Sequence, residues 1–580
     1  MDKKLIYLFA GIIYFLAAVY ITYPLILHLG SIATSLRDEL LISWIQVTVV
    51  ENLFANPLQL FSGNIFYPYT NVLAYSDLHL TSALLSFVPA FLTGQAITAI
   101  NMTFFSSLVL LGFAAFILSY HLTRNFSLSI LSGLLIQFSP ATLDKNVHVQ
   151  ILAIEWVLFS ILFFLLSLQK KSFSYFLLSL LFFLLQTLNS FLPGYFIVVS
   201  YIVIASIFVM ERRKKVSYYF QRKHVVAFFL SLCIIGLVAF PYYKVSRQFS
   251  YVRDIREVVH LSLQPEDLLY PNDLTRLQPL LLFLSNQTVE TQEASFKVGY
   301  IGLVFSLLSV ITFWYVLKHI KKVPAELLAL FIIAIIGLVL SFGPALHLGR
   351  KTVHWPSLIP LPYAILYYVV PGFQGIRSAY RWEMLFVLCM SVSSIMVLQK
   401  LLKRLQKNMQ LIIPLLLSVF VIAEFNYPIQ FVSVPQVSSF PPVYSYIRSL
   451  PSEATIVEMP IYNWNMAPYS TRELERVYFS TYHGKKMLNG ASGFSPPPWQ
   501  EDVTELLRTF PSRKSIVRLK RLEIRYIVLH AAEYDRLNKD KFMVSGTNIR
   551  SGNSILDSLQ QERAVKRMNR FGDDYIFKIL

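Results

Sequence analysis

Long apolar segments, joined by short connectors that are basic only at every second gap, constrain this chain more than anything else in it. About eleven stretches approach the roughly 17–25 apolar residues needed to cross a bilayer: 5–27, 97–122, 127–142, 149–168, 173–190, 192–210, 224–243, 298–317, 324–346, 382–399 and 409–426. Lipid offers backbone groups no partner, so each is expected to be helical. With a cytoplasmic N-terminus, the inward gaps 2–4, 121–126, 169–174, 211–223, 318–323 and 400–408 hold 18 Lys and Arg against only Asp2 and Glu211. Those gaps carry 16 of the 18 net positive charges, as the positive-inside rule requires. An odd number of spans then puts the C-terminal region outside, and the basic balance is a topology signal rather than nucleic-acid affinity.

Composition agrees: mean hydropathy is +0.54, with 55% hydrophobic and 14% charged residues, too apolar for a soluble domain of 580 residues. The opening segment is long for a signal-peptide core and has no small-residue cleavage site, so it reads as the first span. Both cysteines, Cys233 and Cys389, fall inside predicted spans, which leaves no disulfide framework outside the membrane.

The expected organisation is a membrane domain over 1–430, with outer loops at 28–96, 244–297 and 347–381, and an α/β domain over 435–580. In the first loop, 40–54 and 78–94 are apolar at helical spacing and suit helices lying in the interface. Counting 78–94, interrupted by Pro89, as a span would reverse every later loop against the charge bias. The Tyr-, Pro- and Gly-rich segment 360–382 reads as a further interfacial element. In the tail, 454–461, 524–530 and the closing YIFKIL read as strands, and 502–510 and 554–568 as helices. The fold class is mainly α: a polytopic helical membrane protein with a small C-terminal α/β domain on the extracytoplasmic side.

Residues able to carry chemistry collect in the outward segments. Asp38 and Glu39 open the first interfacial helix, and Asp77 and His79 precede the second. Two such acids could supply a general base or part of an oxygen-rich metal site; acids at a helix start also simply complement its dipole. The gap at 138–150 carries Asp144, Lys145, His148 and Gln150 at the bilayer edge, where polar groups are costly unless satisfied or used. Arg377 and Arg381, four apart, would share a helix face and bind a phosphate or anchor to lipid headgroups. Glu458, His530 and the stretch GFSPPPWQ could meet sugar or serve only the tail's structure. No Walker loop, G-x-G-x-x-G after a strand, G-x-S-x-G or CxxC is present, which leaves soluble nucleotide chemistry unsupported.

Several segments together resemble the GT-C class of polytopic glycosyltransferases, in particular a poorly characterised bacterial and archaeal branch. They are RDELLISWIQ, NPLQLFSGNIFYPYTNVLAYSDLHL, SPATLDKNVHVQILAIEW, PGFQGIRSAYRW, PPVYSYIRSLPSEATIVEMPIYNW and FSTYHGKKMLNGASGF. The resemblance implies a membrane glycosyltransferase with Asp38 as catalytic carboxylate. Asp77, His79 and His148 would be substrate-binding, and Arg377 and Arg381 would hold the leaving phosphate of a polyprenyl-phosphate sugar. In this class transfer usually inverts the anomeric centre. The acceptor would be an envelope glycan, a lipid or a protein. The implied location is the cell membrane, multi-pass, with a cytoplasmic N-terminus and an extracytoplasmic C-terminal domain. Arg37 stands where many relatives have Gly, and there is no D-x-D or E-x-D pair, so a divalent metal stays open and no other cofactor is implied. The alternatives are a lipid-linked sugar flippase or transporter, expected to have charged or broken helices at mid-membrane, and a catalytically inactive envelope assembly protein.

Overall fold

The computed structural model describes all residues except 1–2, 212–219, 271–272, 281–297, 350, 354–358, 427–428, 464–465, 467–468 and 545–546. The basic run at 212–219 and the end of the middle loop at 281–297 thus lie outside the described residues.

Each of the expected spans is helical. Lys4–Thr22, Ile97–Thr123, Val149–Lys170, Phe191–Glu211, Arg222–Phe249, Ala379–Leu402 and Lys407–Glu424 are long and apolar enough to cross a membrane. Phe126–Gln137 and Pro140–Asn146 are apolar helices bent by 48° at the break between them, and Phe173–Asn189, Leu303–Lys318 and Ala325–Ser341 are shorter apolar helices. The bend has an identifiable cause in Pro140, whose ring cannot continue a helix from the residues before it. The protein is a multi-pass membrane protein, mainly α, with a small C-terminal sheet.

The chain divides into two compact units. The first comprises Met1–Leu27, Thr103–Ala239 and Tyr251–Gln430 and holds most of the membrane helices. Its helices approach closely where side chains are small, as expected where packing rather than water drives association. A Cβ on Gly337 would stand 2.8 Å from the Phe386 backbone nitrogen, which brings Ala325–Ser341 against the buried Glu383–Leu402 helix. Tyr14 fills the gap left by Gly112 and Gly133 and donates its hydroxyl to the Ile130 carbonyl at 3.0 Å.

The second unit joins His28–Met102 and Phe240–Ser250 to the tail Phe431–Leu580. Its centre is a five-stranded sheet in the order Val565–Phe571, Asp574–Ile579, Tyr526–His530, Thr455–Met459, Lys486–Met487. Thr455–Met459 is parallel to both of its neighbours, and both it and Tyr526–His530 are buried along their whole length. That burial on two faces is why TIVEM and YIVLH read as continuous apolar strands. Residues from the first loop cover the edge beyond Lys486–Met487: the Met487 amide donates to the Asn64 carbonyl at 2.7 Å, and the Tyr67 amide to the Met487 carbonyl at 2.9 Å. Beside them the Phe66 ring lies 4.8 Å from that of Trp499, whose indole donates to the Leu488 carbonyl at 2.7 Å.

Two expectations are corrected here. The first-loop helix Asp38–Ala55 is buried from Glu39 to Gln46, against Leu80–Thr93 and Thr471–His483, rather than lying with one face in lipid. It is apolar all round, which is the pattern of a buried helix rather than a surface one. In the tail, the helix expected at 554–568 stops at Gln561, and Val565–Phe571 pairs as a strand with Asp574–Ile579 across a left-handed Gly572. Pairing across that turn overrides local helix propensity, and the exposed Lys566, Arg567 and Arg570 blunt the resulting sheet edge.

Candidate functional site

The candidate residues fall in both units. In the second, Asp38 and Glu39 form the first turn of Asp38–Ala55, where carboxylates complement the positive end of the helix dipole. They are not equivalent. Glu39 is only 2% exposed and is capped by the hydroxyls of Thr34 and Ser35, whereas Asp38 is half-buried. Glu39 is thereby committed to bracing the loop that leads into the helix. Asp77 is half-buried and within electrostatic reach of Tyr242, whose hydroxyl donates to the Ser76 carbonyl at 3.0 Å. His79 is fully buried in a left-handed backbone conformation with φ 55°, and neither ring nitrogen has a partner among the described residues. Burial drives its pKa down to about 3, so it is a neutral imidazole at physiological pH. A strained residue with unsatisfied polar atoms is where function is sought.

In the first unit, His148, Arg377 and Arg381 come together. Burial first, then the charges of Arg381, Lys145 and Arg377, lowers the His148 pKa to about 3. The two arginines do not share a helix face: Arg377 lies in the coil after the short Phe373–Gly375 turn, and Arg381 in the Ala379–Trp382 turn. Between them Ser378 is extended, so no continuous helix of the kind a spacing of four presupposes joins the two. Arg377 is exposed, and its Nε donates to Glu257 Oε1 at 2.7 Å. Arg381 is half-buried with its Nε unpartnered, as are the Trp382 indole nitrogen and both carboxyl oxygens of the fully buried Glu383. Three consecutive residues therefore keep buried polar atoms without partners among the described residues, at a cost of about 1–3 kcal/mol for each group.

Lys145 completes this cluster. It is completely buried, pairs with Asp144 at 2.8 Å and sits 4.4 Å from the centre of the Tyr380 ring, thereby fastening the polar loop at 138–150 to the turn that carries Arg381. Sequence reasoning flagged the loop but singled out only His148 from it. The available signal for the rest was an ionisable residue at the head of an apolar helix, Glu383, and a lysine at the bilayer edge.

The tail holds a third polar group, around Glu458 and Arg476. His530 places Nε2 2.9 Å from Glu458 Oε2 and Nδ1 2.8 Å from Asp574 Oδ1, so both nitrogens must carry protons and the ring is an imidazolium. Burial opposes that charge, but the two carboxylates win and raise its pKa to about 9. Arg476 donates to Glu473 Oε1 and Glu533 Oε2, each at 2.8 Å. Burial holds Glu473 up at about 7 against the pull of Arg476. Glu458 and Arg476 are shut from solvent, so this network clamps the strand ends together instead of presenting a surface to sugar.

Among the described residues, no three His, Cys, Asp or Glu side chains converge closely enough to hold a metal ion.

No family model and no curated protein matches the chain. Among solved structures, the chain is similar to arabinofuranosyltransferase AftD from Mycobacteria, with a TM-score of 0.54, 12% identity, and coverage of 100% of this chain and 40% of that one. A mutant form of AftD gives a TM-score of 0.55 at 12% identity, covering 100% of this chain and 41% of that one. The archaeal oligosaccharyltransferase AglB from Archaeoglobus fulgidus gives a TM-score of 0.46 at 12% identity, covering 92% of this chain and 70% of that one. This chain thus spans less than half the length of AftD. The likeness to AftD runs over the whole length of this chain and, together with the apolar helices, gives it the same polytopic membrane fold.

Proposed function

We propose that the protein is an integral membrane glycosyltransferase that takes sugar from a polyprenyl-phosphate-linked donor on the extracytoplasmic face and passes it to an envelope glycan, lipid or protein acceptor. The observation that carries this reading is the basic cluster of the first unit, where Arg377, Arg381 and Lys145 lie near the neutral His148 and Arg381 Nε has no partner among the described residues. A phosphate accepts from such a guanidinium in a charge-assisted bond and would offset the cost of leaving Arg381 Nε unmade. When the glycosyl bond breaks, negative charge builds on the phosphate, and cations already in place stabilise it without reorganisation.

Asp38 is the proposed carboxylate that accepts a proton from the acceptor hydroxyl as that oxygen attacks the anomeric carbon, with inversion. Exposure supports choosing Asp38 over its neighbour: Asp38 is half-buried and reachable, whereas Glu39 is 2% exposed. Asp77 and His79 are proposed substrate-binding contacts, the neutral His79 able to donate from one ring nitrogen and accept at the other. The charge bias of the connectors supports an N-terminus in the cytoplasm and a tail outside.

The test is release of free polyprenyl phosphate by the full chain in lipid nanodiscs, given a panel of polyprenyl-phosphate sugars and acceptors, beside Asp38→Asn. Turnover that disappears in the variant, with insertion and melting unchanged, is the expected result. Wild-type turnover in Asp38→Asn removes Asp38 from the mechanism, and donor transport without release replaces the transferase by a flippase.

A further inference from the structure

A depression of about 340 Å³ lies on the tail between the corner at Thr509–Arg513 and the Gly552–Gln561 helix. Arg508, Arg513 and Arg550 line it, with Ser512, Ser558 and Glu562. Their charges are unevenly compensated. Arg508 Nη2 bonds Glu505 Oε2 at 2.7 Å, but Lys514 Nζ bonds the other oxygen of the same carboxylate at 2.8 Å, so two cations share one acid. Arg550 is held by neutral oxygens, Ser554 Oγ at 2.7 Å, Ser558 Oγ at 2.8 Å and the Ser554 carbonyl at 3.0 Å, which orient the guanidinium without cancelling its charge. Arg513 is exposed and makes no ion pair among the described residues. Glu562 already accepts from the Ala564 amide at 3.1 Å. Three arginines thus face a single carboxylate, Glu562, around one concavity.

We propose that this depression binds a phosphate group carried on a flexible chain, a phosphodiester-linked polyol or glycan. Guanidinium forks match phosphate oxygens in geometry as well as charge, and the volume lies in the range of small-ligand sites. A lipid headgroup offers the same phosphate chemistry, and the experiment separates the two sources. The site is independent of the transferase reading, since nothing in it involves the membrane unit or Asp38.

The test uses the full chain in nanodiscs of zwitterionic lipid and the fluorescence anisotropy of a labelled glycerol-phosphate oligomer. Saturable binding is expected, weakened at least about tenfold in Arg513→Ala/Arg550→Ala, competed by millimolar inorganic phosphate, and unchanged in Lys566→Ala/Arg567→Ala on the exposed edge strand. Each variant's melting curve is checked against wild type, and the single variant Arg513→Ala, which breaks no bond, must alone weaken binding severalfold. The proposal is overturned by an absence of saturable binding, or by an equal loss in the edge-strand variant. Equal affinity for a carboxylated oligogalacturonate, or binding seen only with phosphatidylglycerol vesicles, overturns it as well. Because the readout is binding, failure of sugar transfer leaves the result intact.

Discussion

Carrying the pH from 7 to 10 removes one of the two protons that His530 donates to Glu458 and Asp574, and the cost can be worked from its environment. Its pKa stands at about 9 in the folded tail against 6.5 for an ordinary histidine. A raised pKa contributes stability that is complete below pH 6.5 and lost as pH rises through 9; a shift of about 2.5 units corresponds to about 3 kcal/mol. Other groups face the same cluster, but their windows differ. Glu473, raised to about 7, makes its loss between 4.5 and 7. His483 is held at about 4 by burial and is neutral throughout, while Glu458, lowered by His530 and Arg476 against its own burial, matters only in acid. Tyr444, which donates to Glu458, and Tyr462 are both pushed above 10 by burial and begin to lose only near pH 10, so most of the slope above pH 7 belongs to His530. Hydrogen exchange of the Ile527–Leu529 amides, corrected for base catalysis, should show protection falling by about two orders of magnitude between pH 7 and 10. His530→Gln should be weaker at pH 7 and flat over that window. A flat wild type, or the same slope in the variant, refutes the argument.

Three further outcomes follow from packing and bonding. Gly552→Ala should destabilise the tail by about 1–3 kcal/mol in a denaturant melt, because its Cβ would meet the Ala531 carbonyl oxygen at 2.2 Å and backbone cannot move aside as a side chain does. Trp499→Ala removes a fully buried indole and its bond to Leu488, and should cost about 3–5 kcal/mol. Limited proteolysis should then cut the first loop near Phe66, which loses its ring partner. Arg381→Lys keeps the charge but deletes Nε, so the KM for the lipid-linked donor should rise about tenfold, the worth of one charge-assisted bond of about 1.4 kcal/mol; an unchanged KM removes that nitrogen from donor binding.

Much of the fold is local enough to be read from the chain. A span is set by the apolar length of its own segment, because lipid gives the backbone no other partner, and all the expected spans are helices. TIVEM and YIVLH were legible as strands for a similar reason, since burial on both faces leaves an unbroken apolar run. Candidate site residues were legible only as chemistry near the bilayer edge. Spacing alone put Arg377 and Arg381 on one helix face, yet an irregular backbone separates an exposed, paired arginine from a half-buried one with a free Nε.

By itself, then, the sequence determined where the apolar helices fall and which segments form the central strands of the tail, both properties of contiguous residues. Only the tertiary structure decided which polar side chains meet. Asn64 donates to the Ser480 carbonyl across 416 residues of chain, and His530 reaches Glu458 across 72. Lys145 finds the Tyr380 ring in the same way. Such pairings are fixed by how whole elements pack, and no local periodicity encodes them.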